Sequence, residues 1–178
     1  MRKPNLKISP KIIAVGTALS LTLSACGSSD EVASGEFDDG DGGKGEYSLN
    51  QKDGENQLTI KTDDGEVRIN SGTGAGADTK FPLGLKLYPG AEVLSSMTGT
   101  GEGKSGGMVS FKTDVSRDKV MEFYKKQAQD QGIKIEAEMT MGDRKMFAGN
   151  NDGDQNLSVT AATDNGKTVV TVIGGMGN

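Results

Sequence analysis

Histidine and tryptophan are both absent from this chain, and its 178 residues hold one cysteine, Cys26. Without histidine, an ordinary zinc site and an imidazole-based acyl-transfer triad are both excluded. Aromatic residues make up only 4% of the chain, so the core is expected to be thin and a stacked-ring platform for sugars is disfavoured. No long apolar run is present either. The stretch from Ile12 to Leu23 is mostly apolar, but as a helix it measures about 18 Å. A bilayer core of about 30 Å needs about 20 residues, so this run is too short for a permanent span. Basic residues are outnumbered 20 to 25 by acids, which argues against a nucleic-acid partner and against electrostatic adhesion to anionic lipid.

What the N-terminus does contain is ordered. Arg2, Lys3, Lys7 and Lys11 precede the apolar stretch with no acid among them, and Ser24, Ala25 and Cys26 follow it. A basic start, a short apolar middle and small residues at a cleavage point describe a secretory signal peptide. Leu23-Ser24-Ala25-Cys26 resembles the lipobox of bacterial lipoprotein precursors. The resemblance implies cleavage between Ala25 and Cys26 and attachment of lipid to the Cys26 thiol. Thiolate nucleophilicity makes cysteine the sensible residue for that attachment, and a lone thiol in an exported protein otherwise lacks a partner. Two or three acyl chains on one residue hold a protein at a membrane without a spanning helix. Gly27 stands where aspartate favours inner-membrane retention in Gram-negative sorting, so the analogy points to the outer membrane, facing the periplasm. Loss of residues 1–25 leaves 16 basic residues against 25 acids, a net charge of about −9.

Glycine is abundant, at 27 residues, and suits short strands and turns. Residues 26–45 are Gly, Ser and acid with little to bury, and read as a flexible tether. Residues 46–71 hold Asp53-Gly54 and Asp64-Gly65 between alternating runs, a strong hairpin signal. Two-residue turns at both sites set Leu49 opposite Leu58, Tyr47 opposite Ile60, Ile60 opposite Ile69 and Thr62 opposite Val67. All the apolar residues then share one face, as a three-stranded meander requires. Residues 72–81 read as a linker.

Residues 82–178 have a separate pattern. Tyr88-Pro89-Gly90-Ala91 is a turn, and Val93–Thr98 and Met108–Thr113 are strands joined by a Gly-rich loop at 99–107. Ser116 caps a helix to about Gln131, with Asp118 at its positive end. Val120, Phe123, Tyr124 and Ala128 form its apolar stripe, and Gly132 with Ile133 ends it in a Schellman-like stop. The alternation from Ile133 sets Ile135, Ala137 and Met139 inward and Glu136 and Glu138 outward. Met146-Phe147 is a short strand, and Asn165-Gly166 closes a last hairpin pairing Ala161 with Val170 and Val159 with Val172. The expected fold is α+β: an antiparallel sheet in the order strand-strand-helix-strands, one amphipathic helix packed on one face, preceded by the short meander. Over residues 82–173 the chain resembles a small α+β module of uncharacterised bacterial lipoproteins, through Tyr88-Pro89-Gly90, Val120, Phe123, Tyr124 and Gly132. The resemblance implies a fold and no reaction.

Candidate chemistry is sparse. Gly101–Ser105 evokes a phosphate loop, but Gly99 leaves three residues where four are needed and no helix follows. Ser116-Arg117-Asp118-Lys119, Thr163-Asp164-Asn165 and Lys167-Thr168 echo penicillin-recognising motifs, yet Val169 stands where glycine belongs. The clusters at 38–46 and 150–156 carry hard oxygen ligands suited to calcium, while turn chemistry explains the same residues. Glu136 and Glu138 offer a carboxylate pair that a solvated strand face explains equally well. The sequence therefore leads to a non-catalytic, lipid-anchored envelope protein without catalytic, cofactor or metal residues. Its expected role is to bind an envelope protein or to serve structurally. The alternative is a small ligand or cation held beneath the loop at 99–107.

Overall fold

Tight turns organise this chain. Asp53-Gly54, Glu102-Gly103 and Asn165-Gly166 each place two consecutive residues at positive φ, the backbone that two-residue hairpins demand. In the computed structural model, which describes residues 30–38, 43–72, 75 and 79–176, these turns build one antiparallel sheet. Its strands are β1 (Glu31–Asp38), β2 (Lys44–Lys52), β3 (Glu55–Thr62), β4 (Gly65–Gly72), β5 (Glu92–Gly101), β6 (Lys104–Thr113), β7 (Lys134–Met141), β8 (Arg144–Asn150), β9 (Gln155–Asp164) and β10 (Lys167–Met176). Their order across the sheet is β1-β2-β3-β4-β5-β6-β10-β9-β8-β7.

This corrects the expected α+β architecture. The meander at 46–71 is no separate unit, because β4 pairs with β5 through Ile69–Met97 and Asn70–Ser96. The segment expected as tether contains β1, paired with β2 from Glu31–Asn50 to Asp38–Lys44. The loop expected at 99–107 is mostly strand, with only Glu102-Gly103 as its turn. Alternation identified strands from residue 46 onward but missed β1, and could not show that two sets of strands share one ladder.

Register was legible where the turn was. Leu49–Leu58 and Tyr47–Ile60 pair as expected, as do Ala161–Val170 and Val159–Val172. The second hairpin turns on Asp63-Asp64 rather than Asp64-Gly65, so Ile60 faces Val67 and Leu58 faces Ile69. A shift of two residues keeps each side chain on its face. Gly65 is instead needed for close approach to β5: a Cβ there would lie 1.9 Å from the Thr100 carbonyl oxygen.

One helix, α1 (Arg117–Asp130), leaves β6 and carries the chain to the far edge strand β7. Its 14 residues measure about 21 Å, matching the four strand spacings, about 19 Å, that it must cross. Ser116 sits at the cap with extended backbone but makes no side-chain cap bond. The stop is a complete Schellman motif: Gly132 at φ +71, Gly132 N–H to Gln129 O at 2.9 Å and Ile133 N–H to Ala128 O at 2.9 Å. Val120, Met121, Tyr124 and Ala128 are buried against Val109, Phe111, Phe147, Val159, Val170 and Val172. Complete burial of each such side chain contributes about 1.5–3 kcal/mol.

Beyond Ile135 the expected facing of β7 is overturned. A bulge between Ile135 and Ala137 adds one residue and reverses the alternation. Glu138 now pairs with the buried Phe147 position on the helix side, while Met139 pairs with Met146 on the other. β5 has a comparable bulge between Val93 and Ser95. Val93 faces the helix side with Phe111, and beyond the bulge Ser96 does so in place of Ser95.

A candidate ligand groove beside the Gly-rich hairpin

The helix-side face changes character along a single cross-strand row. Gln57, Asn70 and Ser96 follow one another on β3–β5, and Val109, Val172, Val159 and Phe147 continue the row on β6, β10, β9 and β8. The aliphatic part lies beneath α1. The amide and hydroxyl part is linked: Gln57 Nε2 donates to Asn70 Oδ1 at 3.0 Å, and Asn70 Nδ2 donates to Ser96 Oγ at 3.3 Å. Asn70 and Ser96 are buried, where an unpaired amide costs about 1–3 kcal/mol. Thr79 Oγ1 bonds Ser96 Oγ at 3.5 Å and the Ala75 carbonyl, so Thr79, expected in a linker, is fastened to this polar floor.

After Thr79 the chain forms a short 3-10 turn, Pro82–Gly84, in which Leu83 adopts φ +56. The turn packs onto β10 because Gly174 lacks a side chain; a Cβ there would lie 3.0 Å from Pro82 Cβ and 3.2 Å from Leu83 Cδ1. Phe81, Pro82 and Leu83 thus form an apolar wall. Between it and the floor runs a groove of about 330 Å³, also lined by Arg68, Lys80, Thr98, Thr100 and Ser105. The Arg68 guanidinium meets Glu66 Oε1 at 2.8 Å at the groove margin. The size is at the lower end for small-molecule sites.

A second cleft, about 360 Å³, lies where α1 meets β7 and β8. Four of its five charged side chains form two ion pairs, Lys125 with Glu138 at 2.6 Å and Lys145 with Asp118, and the fifth is Glu122. The Lys145 ammonium, hydrogen-bonded to Asp118, holds that carboxyl below the usual carboxylate range. A ligand entering this cleft would compete with both of these ion pairs, whereas one entering the groove meets a single pair, Arg68 with Glu66. Between helix and sheet the space is filled, with Tyr124, Phe111 and Phe147 fully buried. Tyr124 is the exception to polar satisfaction there. Its hydroxyl has no partner in hydrogen-bonding geometry; burial pushes its pKa up, and the Tyr88 backbone offsets this only in part.

The sequence candidates are dispersed. Ala25 and Cys26 lie outside the described residues. Gly101–Ser105 is the β5–β6 turn with its flanking residues, of which Ser105 lines the groove. Ser116 starts α1, while Thr163, Asp164, Lys167 and Thr168 belong to the β9–β10 hairpin. In the 150–156 loop, Asn151 Oδ1 accepts from Gly153 N–H at 3.0 Å and Gln155 N–H at 3.1 Å, which is turn chemistry. Glu136 and Glu138 do not form a pair: Glu136 accepts from Asn150 Nδ2 at 2.9 Å, and Glu138 is tied to α1. Among the described residues, no three carboxylates converge as a metal site would require.

Sequence reasoning missed Arg68, Asn70 and Lys80–Leu83. Polar residues at 66, 68 and 70 alternate with Val67 and Ile69, which marks a polar face. Nothing local showed that residues 79–84 return to cover it.

A family model described as START domain-like matches residues 93–168, from β5 to the start of β10 and including α1. The match covers less than half of the chain and includes the β5–β6 side of the groove but neither Arg68 nor the 80–84 wall. No curated protein and no solved structure matches the chain.

Proposed function

We propose that this chain is a lipid-anchored, extracytoplasmic, non-catalytic module that holds a small molecule in the groove between residues 79–84 and strands β4–β6. The carrying observation is the groove itself: a hydrogen-bonded floor of Asn70 and Ser96 facing an apolar wall, with Arg68 and Lys80 at its margin. The START-like match supports the same reading, since such domains generally bind ligands without catalysis. Both favour the ligand-binding alternative over the protein-docking role expected first. The fitting ligand has a short apolar portion for Phe81, Pro82 and Leu83 and a hydroxyl- or carboxylate-bearing end for Arg68 and the floor. Anchoring rests on the lipobox-like Leu23-Ser24-Ala25-Cys26, and places the module in the cell envelope, with Gly27 favouring an outer membrane.

Screening a panel of short-chain hydroxy and carboxylic acids by thermal shift tests the groove. A ligand at about 100 times its Kd stabilises the protein by about 2.7 kcal/mol. Thr98→Phe fills the groove floor and removes that shift while preserving the unliganded melting temperature to within a few degrees. An equal shift in wild type and Thr98→Phe would place the ligand elsewhere. For the anchor, a fatty-acid analogue labels the wild type and not Cys26→Ser; equal labelling of both refutes it.

A further inference from the structure

The sheet has a second face, and there the pattern of polarity is reversed. One cross-strand row includes a residue from every strand: Ala33, Leu49, Leu58, Ile69, Met97 and Met108 on β1–β6, then Ile173, Ser158, Ala148 and Ala137 on β10 to β7. The chain has 45 charged residues, and none lies in this row. From Ala33 to Ile173 the row is wholly apolar over six strand spacings, about 29 Å. The neighbouring row adds Tyr47, Ile60 and Val67.

This apolar band is open. Val67 is 38% exposed, Met97 39% and Ile173 47%. Phe37, Met139 and Met141 project from the same face and are exposed as well. The bulges in β5 and β7 help to produce this, since each turns methionines away from the helix side. The aromatic rings lie down rather than stand up: Phe37 covers Gly45, and Tyr47 covers Gly35. Meanwhile the reverse face of β1–β4 carries Glu36, Glu46, Lys61, Glu66 and Arg68. One side of these strands suits water and the other does not. An exposed apolar surface of this extent marks an interaction site.

The chain on the N-terminal side of β1 identifies the occupant. Asp30 is held to the sheet by Gln51 N–H to Asp30 O at 2.7 Å and by Lys52 at 3.2 Å. Only residues 27–29 separate it from Cys26, so the two Cα atoms are at most about 15 Å apart. On the reading that Cys26 is acylated, edge strand β1 is held at the bilayer surface instead of standing off on a tether. We propose that the open face of the sheet is a membrane-contact surface that seats on the boundary between headgroups and acyl chains, with the groove face turned to water. The band has no cation within it, and of the cations beside it on this face Lys112 is paired with Glu92 at 2.8 Å, so contact depends chiefly on apolar area.

Single cysteines at Met97 (open face) and Lys61 (reverse face) carry a polarity-sensitive fluorophore in the acylated protein reconstituted into phosphatidylcholine vesicles. The expected result is a blue shift and quenching by lipid-borne quenchers at 97 and not at 61, insensitive to 0.5 M salt (roughly a 4 Å Debye length). Equal, water-like emission at both positions in acylated protein overturns the proposal. Protein that never acquires lipid and never enters the vesicles refutes the anchor reading instead. The processed chain from residue 26, which retains every described element, is tested as Cys26→Ser on the same vesicles. Val67→Asp with Ile173→Asp, both at exposed sites, is expected to lower its partitioning at least tenfold. If the chain forms a dimer without lipid, the same substitutions dissociate it and position 97 is blue-shifted in both states, a second copy is the occupant and the membrane proposal fails.

Discussion

Strands β2–β4 and strands β8–β10 are built from similar antiparallel hairpins, yet keep their apolar side chains on opposite faces of one sheet. In the second group Leu157, Val159, Ala161, Val170 and Val172 lie beneath α1 and are buried. In the first group Leu49, Leu58, Ile60 and Ile69 face away from the helix side and remain half-exposed. Alternation makes one face of a strand apolar; whether that face becomes core depends on what covers it. The bulge in β5 joins the two regimes, because it lets Val93 serve the core while Met97 continues the outer band.

The largest expected effect tests that contrast directly. Phe111 is fully buried with its ring centroid 5.9 Å from Tyr124 and 6.4 Å from Phe81. Phe111→Ala leaves a cavity and should destabilise by about 3–5 kcal/mol. Leu58→Ala on the open face should cost about 1 kcal/mol, the transfer of a half-buried side chain with no cavity. Urea unfolding of both variants measures the difference. Comparable losses would mean that the open face is covered in solution, and the two-regime description would fail.

Asn70→Ala comes next, because it sharpens the contrast in how each half handles polarity. The substitution leaves the Gln57 amide and the Ser96 hydroxyl without their shared partner, at about 1–3 kcal/mol. It should also weaken whatever ligand the thermal-shift screen identifies. A variant as stable as wild type would show that water readily replaces the network.

How far the sequence revealed this follows from the range of each signal. The Asp53-Gly54 and Asn165-Gly166 turns and the Gly132 stop are local, and the structure has them as read; the apolar stripe of α1 is as read at Val120, Tyr124 and Ala128, while Met121 is buried where Phe123 is only partly so. The bulges at Val93/Ser95 and Ile135/Ala137 depend on partner strands, so strict alternation placed Met139 inward and Glu138 outward, the reverse of the fold. Joining β4 to β5, and laying Phe81–Leu83 over Arg68 and Ser96, are long-range choices without a local marker. That is why the groove's Gly-rich side was anticipated and its wall was not.

The smallest effect concerns the buried side-chain oxygen that, among the described residues, the helix-covered half leaves without a hydrogen bond. Tyr124→Phe removes a buried hydroxyl without a bonded partner and keeps the ring that meets Phe123 edge-on at 5.2 Å. Deleting an unsatisfied donor should stabilise the protein by up to about 1 kcal/mol. The same atom gives a pH signature. Burial raises the phenol's pKa in the folded state, so its contribution is constant below the unfolded value of about 10. It is then lost as pH rises further, because the unfolded chain releases the proton first. Wild type should therefore lose stability more steeply above pH 10 than Tyr124→Phe does, as chemical denaturation at pH 8 and pH 10.5 will register. Parallel curves for the two proteins would mean that the hydroxyl reaches water, and that the helix-covered half is less tightly closed than its aliphatic rows imply.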